Sequence, residues 1–415
     1  MKRSFSHIYF VPTNRPISHS LNSYIAEIKH GLESLKLHDQ LLLCVIEDGD
    51  EKNEAFNSGF MVEFARQLPE GMVKYVNRGL RKKLVNSVFP GQVGLQSLFL
   101  GKLLNYGRVA NLTSIIAEYF SAQYVHRRDS DTGLQVESGR KVFPIDFEVE
   151  YLNNKERGGC LVGGSYIGES NLDLFIFQDD RPLIKDFFSC MKIRPEAHDI
   201  IIETWLGKKS GQQSSPPQIR IVEGAHPDMG NVAYTREVYR NLPFPPHDDT
   251  TGTDYFPMIA LLKAGRKVFL HNHDVVHRYT EDRSSEPFVV DYFTRVAKFI
   301  DYLQLYEDVF VRASHWYQGN TLVELGKMLE NALCRGSAKT NLRINSLQGF
   351  IAIMRRTHVS FSKRLADQIE EKMQTILDFG LVGLQDHLSL VQNWQNIMLR
   401  AKQSNALEIN DNAVL

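Results

Sequence analysis

Two carboxylates one residue apart, Asp129 and Asp131, follow the run Ala122-Gln123-Tyr124-Val125-His126-Arg127-Arg128. Set just past a strand, they can hold a hard divalent cation and leave other coordination positions open. Mg²⁺ commonly binds through one or two carboxylates and completes its shell with substrate phosphates. A sugar-nucleotide diphosphate would suit that arrangement. The motif alone has little specificity, because Asp-x-Asp arises by chance on many surface loops. Its meaning depends on the elements that deliver it. Arg127 and Arg128 flank it, and strand alternation lets only one of them face the same side.

The first half of the chain alternates strand-like and helix-like segments. Ile8-Tyr9-Phe10-Val11 reads as a buried strand, and Leu21, Ile25, Ile28, Leu32 and Leu35 mark one helical face. Leu41 to Ile46 is a second strand, ending in Glu47-Asp48-Gly49-Asp50. Phe56, Phe60 and Phe64 fit a helix, and Met72 to Val76 a third strand. Leu112, Ile116, Tyr119 and Phe120 fit a helix that leads into the strand before Asp129. This order predicts an α/β fold with a mainly parallel sheet covered on both faces. Ligands of such sheets bind beyond the carboxyl ends of strands. Pro12-Thr13-Asn14-Arg15, Glu47-Asp48 and Asp129-Ser130-Asp131 would then converge on one rim.

From about Pro287 the pattern becomes helical: Phe293, Val296, Ile300 and Leu303 share a face, and similar spacing recurs to about Arg400. Breaks are expected at 316–320, 335–337 and 378–380. The expected division is therefore 1–286, an α/β domain, and 287–415, a helical module. The polar stretch 207–217 is a lid candidate. The chain has 415 residues, long enough for two cores. Lys+Arg of 48 against Asp+Glu of 49 leaves no basic footprint for nucleic acid. Four dispersed cysteines form no C-x-x-C pair, so neither a zinc site nor a disulfide framework is indicated. No stretch approaches the length of a membrane span, and Ile8 to Val11 is too short for a signal core, so a cytoplasmic location is the simplest expectation.

Several segments together resemble a GT-A fold glycosyltransferase, family 2-like. Val11-Pro12-Thr13-Asn14-Arg15-Pro16 resembles that family's opening strand and turn. Ile46-Glu47-Asp48-Gly49-Asp50 is similar to its V-D-D-G-S segment, and Gly107 to Leu112 to its A-R-N-x-G helix start. Asp129-Ser130-Asp131 matches D-x-D. Met229-Gly230-Asn231 through Tyr239 resembles G-G-N-x-A-x-R-R-E-x-F. Gly252-Thr253-Asp254, with Ala260 to Gly265, resembles G-E-D-x-D-L-x-x-R-L-x-x-A-G. Val276-His277-Arg278 resembles the closing V-x-H. The resemblance spans roughly residues 5 to 283 and leaves out the helical module. It departs from the pattern at Thr253, where Glu is usual, and at Met229. About a hundred residues separate Asp131 from Gly230, longer than in compact members.

The resemblance implies transfer of a sugar from a nucleotide sugar, UDP-linked by the family's weight, to an acceptor hydroxyl. The acceptor could be a small metabolite, a glycan, a peptide or a lipid-linked sugar. Asp129, Asp131 and His277 would hold Mn²⁺ or Mg²⁺, which would neutralise the departing diphosphate. Asp254 would be the general base of an inverting transfer, unless it merely caps the following helix. Pro12, Thr13, Asn14, Arg15, Asp48, Arg108, Asn111 and Asp129 would line the nucleotide sugar, with Gly230, Asn231 and Thr253 on the acceptor side. Arg15, Arg78, Arg81 and Arg108 are candidates for phosphate contact, although Arg81-Lys82-Lys83 also reads as a solvated charge run. His271 and His273 are near His277 in sequence, but alternation alone does not make them ligands. The helical module could form a homodimer, bind an acceptor protein or buttress the core. The alternatives are a retaining GT-A transferase, a nucleotidyltransferase, which would normally show a glycine-rich loop with a lysine, and a non-catalytic nucleotide-sugar-binding scaffold.

Overall fold

The computed structural model describes residues 4–38, 40–101, 105–137, 139–154, 159–168, 174–177, 180–209, 220–221, 226–278, 285–317, 320–359 and 361–408. Its strands are β1 (His7–Thr13), β2 (Leu41–Glu47), β3 (Val73–Val76), β4 (Tyr124–Arg128), β5 (Thr132–Leu134), β6 (Val136–Glu137), β7 (Arg140–Lys141), β8 (Gly159–Gly163), β9 (Tyr166–Gly168), β10 (Arg220–Ile221), β11 (Asn231–Thr235), β12 (Lys267–Leu270) and β13 (Val275–His277). The central sheet runs in the order β10-β12-β8-β11-β4-β1-β2-β3. β4, β1, β2 and β3 are parallel, β12 is parallel to β8, and β11 and β10 run against their neighbours. This is the mostly parallel α/β sheet expected. A second sheet, β5-β13-β9, stands beside it.

The apolar strands are buried on both faces, as parallel strands require. Ile8, Phe10, Leu42, Cys44 and Ile46 enter one hydrophobic cluster, and Tyr9, Val11, Leu41, Leu43 and Val45 enter another. The second cluster is closed by Leu21, Tyr24, Ile28 and Leu32 of the helix Ser18–Glu33. The first is closed by Leu112, Ile115 and Ile116 of the helix Tyr106–Tyr119, and then by residues far away in sequence. Leu384, Leu388, Val391, Trp394 and Ile397 of the helix Met373–Gln403 belong to that same cluster. Trp394 Nε1 donates to the Tyr239 carbonyl at 3.1 Å, and Lys298 pairs with Asp249 at 2.6 Å. The helical region after Pro287 therefore shares its core with the sheet.

One expected break falls slightly early and another is not a break. Residues 335–337 form the last turn of the helix Thr321–Ala338, and the next helix starts at Thr340, whereas 378–380 lie inside Met373–Gln403. The glycines there permit close approach: a Cβ on Gly380 would lie 2.2 Å from Asp301 Oδ2. The break at 316–320 falls between the helices Ala313–Trp316 and Thr321–Ala338, and 318–319 lie outside the described residues. Of the lid candidate, 207–209 end the helix Pro195–Lys209 and 210–217 lie outside the described residues. No helix among the described residues is long and apolar enough to cross a membrane.

Candidate functional site

β4 ends in two arginines, and the pleat sends them to opposite faces. Arg127 turns toward the rim. Its Nε and Nη2 lie 3.2 and 3.1 Å from Asp129 Oδ1, and its Nη1 lies 2.9 Å from Asp254 Oδ2. One guanidinium thus joins the first acid of Asp-x-Asp to the candidate base, 125 positions later in the chain. Tyr166 donates to the other oxygen of Asp129 at 2.6 Å, and its ring stacks on His277 with centroids 4.9 Å apart. Gly230 passes so close that a Cβ there would fall 1.9 Å from the Tyr166 hydroxyl and 2.2 Å from the Asp129 carboxylate. Only glycine fits this approach.

Asp131 sits between two other groups. Its Oδ2 is 3.1 Å from Arg15 Nη1 and its Oδ1 is 3.3 Å from His277 Nε2. β13 delivers His277 by pairing it with Thr132 and Gly168, and the Arg278 amide donates to the Asp131 carbonyl at 2.9 Å. The helix Ser18–Glu33 holds the loop from below: Ser20 donates to the Ser130 carbonyl, and the hydroxyls of Tyr24 and Thr132 hydrogen-bond. Arg15, Asp131, His277, Tyr166, Asp129, Arg127 and Asp254 therefore form one continuous network.

The other expected residues are placed differently. Asp48 is half-buried, with its carboxylate held between Arg81 and Arg108, Arg108 Nη2 at 3.0 Å. Arg81 is thus a buried partner of an acid and not part of a solvated run. Arg78 lies 3.6 Å from Glu51 and 3.9 Å from Glu54. Pro12 is half-buried, the Thr13 hydroxyl donates to the Arg15 carbonyl at 2.7 Å, and Asn14 is exposed. Asn111 is spent on the fold: its amide donates to the Phe244 carbonyl at 2.7 Å and accepts from the Phe244 amide at 2.8 Å. Asn231 pairs with Arg128 across the β11–β4 ladder and so shares the face opposite Arg127. Its side chain donates to the His273 carbonyl at 3.1 Å. Thr253 is fully buried beside Asp254. His273 bonds the Phe143 carbonyl at 2.7 Å, and both His271 and His273 pack on Phe147.

Burial raises the Asp254 carboxyl above its usual range, Arg127 opposes the rise, and Asp129 adds to it. Neither short helix at this turn has a side-chain cap, so the Asp254 carboxylate goes to Arg127 rather than to capping. Burial also raises the Tyr106 phenol; Arg295 opposes, while Asp254, Asp129 and Asp131 add to the rise. Tyr166 and Tyr106 were not expected from sequence, nor was Asp228, which accepts from the Tyr166 amide at 2.6 Å and the Tyr255 hydroxyl at 3.1 Å. The signal available for Tyr166 was the glycine pair Gly163-Gly164 directly after an apolar strand.

The donor chemistry suits a divalent cation at Asp131 and His277, a carboxylate and an imidazole that already meet. Asp129 is turned instead to Arg127 and Tyr166. Among the described residues no three His, Cys, Asp or Glu side chains converge as a metal-binding group. Of the three side chains expected from sequence to share a cation, Asp131 and His277 meet and Asp129 is turned away from them.

No curated protein matches the chain by sequence. Among solved structures it is similar to "Mannosyltransferase PcManGT from Pyrobaculum calidifontis in complex with GDP-Man and Mn2+", with 12% identity and a TM-score of 0.39 over 92% of this chain and 86% of that one. The model of a family of unknown function, DUF6271, matches residues 8–158 and 151–410, almost the whole chain, and the protein belongs to that family.

Proposed function

We propose that the protein transfers a sugar from a nucleotide sugar to an acceptor hydroxyl, with a GT-A-like α/β region as its catalytic part. One observation carries this reading: Asp129, Asp131, Asp254 and His277, drawn from three separate segments, join one network at the carboxyl end of β4. That is where parallel sheets bind ligands. In this reading the nucleotide is UDP, and the Arg15 edge of the network meets the diphosphate, since guanidinium matches phosphate oxygens. Asp131 and His277 would hold a divalent cation, Mn²⁺ or Mg²⁺, whose chemistry when bound is Lewis-acid neutralisation of the leaving diphosphate.

Asp254 takes the proton of the acceptor hydroxyl as that oxygen attacks the anomeric carbon. Its carboxyl, raised by burial, binds a proton more readily than a solvated aspartate. Arg127 keeps the carboxylate aimed and limits that rise. Attack from the face opposite the diphosphate inverts the anomeric configuration.

The test uses a donor panel of UDP-glucose, UDP-N-acetylglucosamine and GDP-mannose, with calorimetric UDP binding in Mn²⁺ and in EDTA. Asp254→Asn is expected to keep UDP affinity and lose roughly two to four orders of magnitude in kcat. Near-normal turnover in that variant, or a product with the donor's anomeric configuration, would remove Asp254 as base and favour the retaining alternative. Equal UDP affinity in Mn²⁺ and EDTA would remove the cation from the reading.

A further inference from the structure

The turn that carries Asp254 has little to hold it in its own sequence. Asp249 and Gly252 both have positive φ, 48° and 72°, a conformation that an aspartate adopts at some cost. The segment 242–252 contains no regular helix or strand. Part of its support comes from the sheet side, through Asn111 on Phe244 and Asn105 on Asp248 at 2.8 Å. The rest comes from helices nearly fifty to a hundred and forty positions later.

Those helices grip the segment at four points. His387 lies 2.9 Å from the Pro243 carbonyl and 2.9 Å from the Tyr306 hydroxyl, which in turn lies 3.3 Å from His247. Because a carbonyl only accepts, His387 Nε2 must donate to Pro243 and its Nδ1 must accept from Tyr306. The Tyr306 oxygen is then left to accept from His247, so every proton in the chain has one place. Burial lowers both histidines to about 3, which keeps them in the neutral forms this chain needs. Gly383 backs onto His247 so closely that a Cβ would lie 2.4 Å from its ring. Lys298 pairs with Asp249 at 2.6 Å. Finally, the Phe299 ring lies against Gly252, where a Cβ would fall 2.9 Å from it.

We infer that the helices Glu286–Leu305 and Met373–Gln403 set the position of the Asp254 carboxylate through the segment 242–252, with Phe299, Lys298 and His387 as positioning residues. The inference rests on the reading of Asp254 as the base. It makes the helical region part of the reaction machinery, because Asp254 sits two residues beyond the glycine that Phe299 covers. The Arg15 and Asp131 edge of the site hangs on β1, β4 and β13.

The test compares full-length Phe299→Ala, Phe299→Leu and Lys298→Met with the wild type. The measurements are kcat and KM for hydrolysis of the same donor panel, UDP affinity, and hydrogen exchange of residues 242–256. Phe299→Ala should lose roughly 10- to 100-fold in kcat, the scale of a small displacement of a reacting group. UDP affinity and KM should stay within about twofold, and Phe299→Leu should recover most of kcat. Exchange should rise in 242–256 and not in 8–15. Lys298→Met, which keeps the length of the stem and removes only the charge that pairs with Asp249, should move in the same direction and serves if Phe299→Ala fails to fold. Unchanged kcat and exchange, or equal losses of kcat and UDP affinity, would overturn the inference. A wild-type chain that turns over none of the donors would sink the glycosyl-transfer reading alone, and the exchange comparison would then decide the positioning claim.

Discussion

Arg127 and Arg128 are neighbours on one strand, and each is clasped by two acids, yet the two arrangements do different work. Arg128 points under the sheet. It meets Glu27 at 2.9 Å and Glu148 at 2.9 Å, all three side chains have no exposed surface, and His126 bonds Glu148 at 2.7 Å. Arg127 points to the rim, where Asp129 keeps 25% of its side-chain surface. Burial would raise Glu148, but Arg128 and His126 outweigh it and hold its carboxyl below the usual range. At Asp254 burial prevails over Arg127 and the carboxyl is raised. Matching an acid with a cation therefore does not fix its behaviour. The underside network has enough partners to hold Glu148 down, and the rim network leaves the Asp254 carboxyl raised.

Removing the central cation on each side should separate the two roles. Arg128→Met leaves two buried carboxylates uncompensated, so stability should fall by about 3–5 kcal/mol in urea unfolding. A loss below about 1 kcal/mol would mean that the underside is not the structural half of the pair. Arg127→Met should cost less, about 1–3 kcal/mol, because water can reach Asp129. Its turnover should nevertheless drop roughly a hundredfold as Asp254 loses its aim. If turnover fell only in proportion to the folded fraction, the contrast would collapse.

A subtler difference should appear with pH. The folded-state carboxyl of Asp254 is raised, so its ionised form disfavours the fold at neutral pH. That cost disappears as pH falls through the raised value to the ordinary one. Asp254→Asn should therefore show its largest gain in melting temperature over wild type near pH 7. The gain should vanish near pH 4, around the ordinary aspartate value. Glu148 has the opposite sign: its contribution is present above the ordinary glutamate value and lost as pH falls through the depressed one. Glu148→Gln should accordingly flatten the acid limb of the stability curve. An Asp254→Asn gain independent of pH would show that its burial cost is not one of charge.

Much of the sheet was legible because apolar runs at strand length, separated by 3.6-period segments, leave few other ways to bury both faces. The rim positions of Arg15, Asp48 and Asp129 follow from that order. The partners of those residues were not legible. Asp48 carries the same turn chemistry whether it meets a ribose or two arginines, and only the approach of Arg81 and Arg108 distinguishes the cases. Asn111 and Asn231 kept their expected elements but turned to backbone carbonyls. Gly380 read as a break because a local rule cannot see a neighbouring helix.

What the sequence determined by itself was the set of elements and the side of each strand its residues occupy, since pleat and helical turn are local geometry. The separation of Arg127 from Arg128 belongs to that class. What only the tertiary structure decided was which distant groups share a charge. Arg127 reaches Asp254 because β11 inserts beside β4 and the following segment is folded back under the C-terminal helices. Electrostatic behaviour depends on distance and burial in three dimensions, and neither is encoded by spacing along the chain.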